Sequence, residues 1–173
     1  LRSVREKLKE AEDDFNRFSQ QNQLISIDMQ SEKLLARSQT LQADISRLRE
    51  DRRELEGILG QLDSFGKSPE GSGRNFHSAK ASGLFQAAND ALVGLLLKRD
   101  SLLEDFTPKH PEVVDINRRI VEGAKRMAFL LRLQVKDMEN KERELKEELS
   151  EADKKTSLMM EKKLEPHSRL PVM

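Results

Sequence analysis

The sequence predicts an all-α fold, an elongated antiparallel coiled-coil hairpin of long helices with a proline-induced break. Three observations predict it. Hydrophobic residues make up 36% of the 173 positions and charged residues another 36%, while aromatics are 4% and all are Phe; that is enough apolar surface for a narrow seam and too little for a thick globular interior. Ala, Leu, Glu, Lys, Arg, Gln and Met dominate, the residues that lose least side-chain entropy in a helix, and β-branched or aromatic runs of strand length are missing. Apolar residues recur at alternating steps of three and four, which lines them along one side of a helix.

The first such seam, Leu1, Val4, Leu8, Ala11, Phe15 and Phe18, predicts a helix over about 1–20. It falters at Gln20-Gln21-Asn22-Gln23, after which Ile25, Ile27 and Met29 alternate as in an extended stretch, so a break is expected near 21–26. A second helix over 27–64 carries a seam in a new phase through Leu34, Ser38, Leu41, Ile45, Leu48, Arg52, Leu55, Leu59 and Leu62. Arg52 is its one misfit, expected to snorkel. Three Gly and one Pro between Ser64 and His77 raise the cost of helix and predict a loop over 65–79 that acts as a tether.

A third helix over 80–106 carries Leu84, Ala88, Leu92, Leu95, Leu102 and Phe106, and its adjacent leucines widen the apolar face. It is expected to form a hairpin against 38–64. Thr107-Pro108-Lys109-His110-Pro111 interrupts, since each Pro disfavours helix in the residue before it. Local chemistry leaves kink and reversal both open, and the hairpin register favours a kink. Pro111 suits the first position of a helix over 111–164, and Glu112 and Asp115 complement its positive end. The seam there runs Val113, Ile116, Ile120, Ala124, Met127, Leu131, Val135 and Met138 at an average step near that of an eleven-residue repeat. It continues through Glu142, Leu145, Leu149, Ala152, Thr156 and Met159, with polar residues at two core positions. Pro166 and Pro171 mark an irregular tail over 165–173. At 1.5 Å per residue the longer helices are roughly 57 and 75 Å long, so the expected object is a rod. The chain starts and stops inside helical pattern without an initiator Met, which suggests one helical region, 1–173, excerpted from a longer membrane protein.

Lys plus Arg equals Asp plus Glu at 31 each, so no net field draws the chain to nucleic acid or an anionic membrane. Arg47, Arg49, Arg52 and Arg53 are interleaved with acids and read as a solvated face laced with ion pairs. With no Cys there is neither a disulfide framework nor a thiolate metal site. No apolar stretch approaches the roughly 20 residues that span a bilayer. His77, His110 and His167 lie far apart without partners at metal-ligand spacing, and His110 reads as a helix-entry residue whose ring caps or packs locally. The glycines of 66–73 do not form a phosphate-binding loop. Asp13-Asp14 and Glu147-Glu148 diverge around a helix and cannot act as a paired acid and base. No catalytic, cofactor or metal site is expected, and the functional residues are those of the packing seams: Leu8, Phe15, Phe18, Leu41, Leu48, Leu55, Leu95, Leu102, Met127 and Leu131.

The run Glu104-Asp105-Phe106-Thr107-Pro108-Lys109-His110-Pro111-Glu112-Val113 resembles the Tyr-Thr-Pro-x-His-Pro-x-Val motif of chain-length-determinant (Wzz-like) polysaccharide co-polymerases and exopolysaccharide transport proteins. Phe106 stands for the usual Tyr, losing a hydroxyl and keeping the packing ring. Leu8-Lys-Glu-Ala-Glu-Asp-Asp-Phe15-Asn-Arg-Phe18 is similar to that family's L-x-x-A-E-x-x-L-x-x-F signature, and the tail Leu164 to Val172, with Leu170-Pro171, is similar to its Leu-Pro step. The resemblance implies a non-catalytic periplasmic region of a bacterial inner-membrane protein that oligomerises and helps control the length, assembly or export of a surface polysaccharide. Its implied partners are further copies of itself and other assembly or export proteins, with membrane contact only through flanking segments. Two other readings fit long paired helices: the α-hairpin of a periplasmic adaptor of a secretion system, and an intracellular coiled-coil linker.

Overall fold

The structure, a computed structural model, describes residues 2–69 and 75–168. Three helices account for nearly all of them: α1 (Arg2–Lys67), α2 (Gly83–Asp105) and α3 (Pro111–Ser168). The described residues contain no strand, and the all-α class expected from the helical periodicity is what is found. The middle of the predicted loop (70–74), the Leu170-Pro171 step and the start of the first seam at Leu1 lie outside the described residues.

The chain divides into two compact units, one of Leu1–Ile45 with Glu144–Met173 and the other of Ser46–Arg143. Within Ser46–Arg143, α1 and α3 run antiparallel, because Asp63 meets Arg132 and Arg52 meets Glu142. Helices α2 and α3 are antiparallel too. The Ser82 N–H donates to Gln134 Oε1 at one end, while Leu92 approaches Gly123 and Leu102 lies near Pro111 toward the other. It follows that α1 and α2 are parallel. The expected hairpin of α1 against α2 is therefore corrected to one between α3 and both of them, and the Pro108–Pro111 break is a reversal, not the favoured kink. The parallel order is possible because residues 75–82 turn back along α1, with Ser78 donating to Glu54 (2.7 Å) and Lys80 paired with Asp51 (3.2 Å).

The core of this unit joins Leu55 and Leu62 of α1, Phe85, Leu92 and Leu96 of α2, and Ile120, Met127 and Leu131 of α3. The segment between α1 and α2 contributes as well, which corrects its reading as a tether. Phe65, still helical, meets Phe76 edge to face at 5.6 Å, and both are buried. Asn89 replaces the backbone partners this non-helical segment lacks: its Oδ1 accepts from the Phe76 N–H (3.0 Å) and its Nδ2 donates to Asn75 Oδ1 (2.6 Å). A buried polar side chain in mid-helix is tolerated because it is satisfied.

In the other unit α1 and α3 are again antiparallel, with Asp28 beside Lys163 and Ser38 beside Asp153. Leu41, Ile45, Leu145 and Ala152 are its buried apolar residues. The break expected at 21–26 does not exist, as α1 is continuous there. Leu24 and Ile27 are half-buried and continue the seam of Leu34 and Ser38 backward without a slip, whereas Ile25 and Met29 are exposed. What reads as strand-like alternation is two apolar stripes on opposite sides of one helix, overlapping for two turns. Gln20, Gln21 and Gln23 are good helix formers and give no reason to stop. α3 also runs beyond the expected limit of 164 to Ser168, with Pro166 in its last turn.

Candidate functional site

The residues of the Thr-Pro-x-His-Pro-x-Val run gather in the turn that reverses α2 into α3. The Phe106 N–H donates to the Leu102 carbonyl (2.8 Å) and ends α2; the His110 N–H donates back to the Thr107 carbonyl (3.0 Å), closing a four-residue turn. Pro108 occupies its second position, where a fixed φ costs nothing. His110 then starts α3 in two ways. Its carbonyl accepts from the Val114 N–H (3.0 Å), and its Nδ1 accepts from the Glu112 N–H (3.3 Å), satisfying one of the donors a helix start leaves open. Pro111 sits in the first turn, where no donor is needed.

The Phe106 ring lies on the His110 ring, with centroids 4.1 Å apart and planes 27° from parallel. Val113 is buried, whereas Thr107, Pro108 and Lys109 face solvent. One turn further on, Arg118 donates to Asp115 (2.7 Å) and Arg119 also pairs with it. The Arg118 hydrogen bond, aided by the charge of Arg119, holds the Asp115 carboxyl below its usual value, and Asp115 in turn raises Arg118. The turn is a capped corner that joins α2 to α3.

The predicted seam residues divide into three groups. Leu41, Leu55, Met127 and Leu131 are fully buried. Leu48, Leu95 and Leu102 are half-buried, the last two against the core. Leu8, Phe15 and Phe18 are 59%, 70% and 63% exposed, so within the chain this part of the seam is left uncovered by the described helices. Lys163 lies beside Asp28, so α3 ends, five residues on at Ser168, level with about residue 23 of α1. No described helix reaches the residues before it.

The seam of α2 was legible only in part. Leu84 is exposed, and the buried face runs Phe85, Asn89, Leu92, Leu96 and Arg99. Asn89 and Arg99 are polar and so leave no mark in an apolar periodicity. Arg99 is held by donating to the Pro69 carbonyl (2.6 Å). Ser82, the N-cap of α2, accepts from the Phe85 N–H, and Gln134 of α3 clamps that end by also donating to the Lys80 carbonyl (2.7 Å). A Ser placed directly before an apolar periodic run was the available signal for this cap.

Two misfits noted in sequence meet each other. Glu142, at a core position of α3 and 5% exposed, accepts from Arg52 (2.5 Å) and from Arg49 (2.7 Å) of α1. Arg52, half-buried, is thus the ion-pair partner of a buried carboxylate and not a snorkelling side chain, and the basic run of α1 is in part an interhelical contact. Among the described residues no three His, Cys, Asp or Glu are grouped so as to hold a metal ion, and no helix is long and apolar enough to cross a membrane. His77 is exposed, and the side chain of His167 lies outside the described residues.

Compared with protein-family models, with curated proteins and with solved structures, the chain matches none.

Proposed function

We propose that this chain is the helical periplasmic region of a polysaccharide co-polymerase of the chain-length-determinant or exopolysaccharide-transport type, acting as a non-catalytic scaffold and spacer in an inner-membrane assembly. The observation that carries the reading is the turn at Phe106–Val113. Its residues resemble that family's motif, and each has a separate part in one reversal: Phe106 stacks on His110, Pro108 shapes the turn, His110 caps α3, Pro111 opens it and Val113 anchors it. A sequence selected to hold two long helices in a fixed antiparallel register would use these residue types in this order. The seams support a scaffold, since most buried side chains among the described residues are apolar ones packed between helices.

The test is the whole gene in its source bacterium. Its product is expected to carry a transmembrane helix on each side of this segment and to fractionate with the inner membrane. Deleting the segment in frame should change the length distribution or amount of a surface polysaccharide on a gel. A full-length product confined to the cytosol, or an unaltered polysaccharide profile, would refute the proposal; flanking lipoyl-like β segments would favour an adaptor of a secretion system.

A further inference from the structure

The exposed stripe at the start of α1 is regular enough to identify what covers it. We propose that it is the seam of a parallel, in-register, two-stranded coiled coil formed with a second copy of this chain. The inference goes beyond the polysaccharide reading and stands without it.

From Val4 to Met29 the stripe steps four and three without a slip. Leu8, Phe15, Asn22 and Met29 fall at the positions called a in a coiled coil, and Val4, Ala11, Phe18 and Ile25 at d. The large apolar members are between 56% and 70% exposed. The stripe covers nearly four heptads, the length at which such a pattern becomes diagnostic. Where it overlaps the seam to α3, the two lie on opposite sides of α1. At about 3.6 residues per turn, residues 22, 25 and 29 point roughly half a turn away from residues 24, 27 and 31. A second helix can therefore dock without displacing α3.

Three features select a second copy over any other helix. First, Asn22 interrupts the stripe at an a position. In a parallel, in-register pair an a residue faces its own copy, so one Asn22 amide donates to the other's carbonyl oxygen and both are satisfied. In an antiparallel pair a layers face d layers, and Asn22 would be buried against an apolar side chain without a partner. A lone Asn at a is the best-attested device for fixing register and two-strandedness. Second, the flanking charges complement themselves. Lys7, at the position before Leu8, reaches Glu12 of the second copy, and the symmetric contact forms on the other side. Third, the next flanking pairs set Asp14 against Ser19 and Gln21 against Ser26, so no like charges oppose each other across the seam.

The chain contains no Cys, which makes single introduced thiols clean reporters. Two experiments on the full chain decide the matter. In sedimentation equilibrium the unmodified chain should be a dimer. Phe15→Asp, at a position that is 70% exposed, should raise the dissociation constant by roughly 100-fold or more without altering the helix content of a monomeric sample. Asn22→Leu should keep association but admit species larger than the dimer. In the second experiment Val4→Cys, at a d position near the end of the stripe, should oxidise quantitatively to a disulfide dimer, whereas Leu97→Cys, 66% exposed on α2, should not. An unmodified chain that stays monomeric at all concentrations overturns the proposal, as does a dimer indifferent to Phe15→Asp. An antiparallel pair, which keeps the two Val4→Cys thiols far apart, would leave them reduced, and that result or equal cross-linking at Leu97→Cys also sinks it.

Discussion

His110 shows how one side chain can serve a turn without being chemically active. Its Nδ1 accepts from the Glu112 N–H and its ring carries Phe106, so His110→Ala removes a cap and a stacking surface. The expected cost is about 1 kcal/mol, the usual worth of a helix N-cap, with helix content near normal by circular dichroism. A global loss of helix would give His110 a larger role than capping. The Glu142 cluster tests burial instead. Glu142→Leu leaves Arg52 half-buried beside an apolar residue, and because both arginines retain some access to water the expected loss is about 1–3 kcal/mol in urea titration. Arg52 still has Glu56 at 3.6 Å, but adding Arg52→Leu removes its half-buried charge from the apolar seam, and the double variant should recover part of that loss. If the double variant were less stable than Glu142→Leu alone, the ion pair would be worth more than the apolar contact that replaces it.

At the level of elements, α1 carries two apolar stripes that must be separated before either makes sense. The stripe of Leu24, Ile27, Ser31 and Leu34 passes into the α3 seam, and that of Val4 to Met29 stays exposed. Helix α2 has a wide face because α1 and α3 both pack on it, which is why Leu92 and Leu96 are buried and Leu95 and Leu102 half-buried at once. The difference is measurable. Leu131→Asp places a charge where no water reaches and should cost several kcal/mol, melting helix in thermal circular dichroism. Leu95→Asp, from a half-buried site, should cost distinctly less. Equal effects would mean that the α2 face is more enclosed than its exposure indicates.

For the molecule as a whole the balance of 31 basic and 31 acidic residues removes any net field. Stability is distributed unevenly along α1, since residues 46–67 lie in the core unit and residues 3–18 are exposed. Isolated helix turns are marginal in water, so amide exchange in 46–67 should be slower by orders of magnitude than in 3–18 in dilute, monomeric samples. Uniform protection there would contradict the exposure of the N-terminal stripe.

The sequence by itself determined the helical class, the seam of α3 from Val113 to Met159, the seam of α1 from Leu34 to Leu62, and the end of α2 near Phe106. These follow from periodicity and from proline, which act within a few residues of chain. Only the tertiary structure decided that Pro108–Pro111 reverses the chain, that α1 and α2 run parallel, that Asn89 and Arg99 are core residues, and that Arg52 meets Glu142. A turn's direction and a buried polar group's partner depend on side chains tens of residues away, and no local pattern records which of them will supply the missing hydrogen bond.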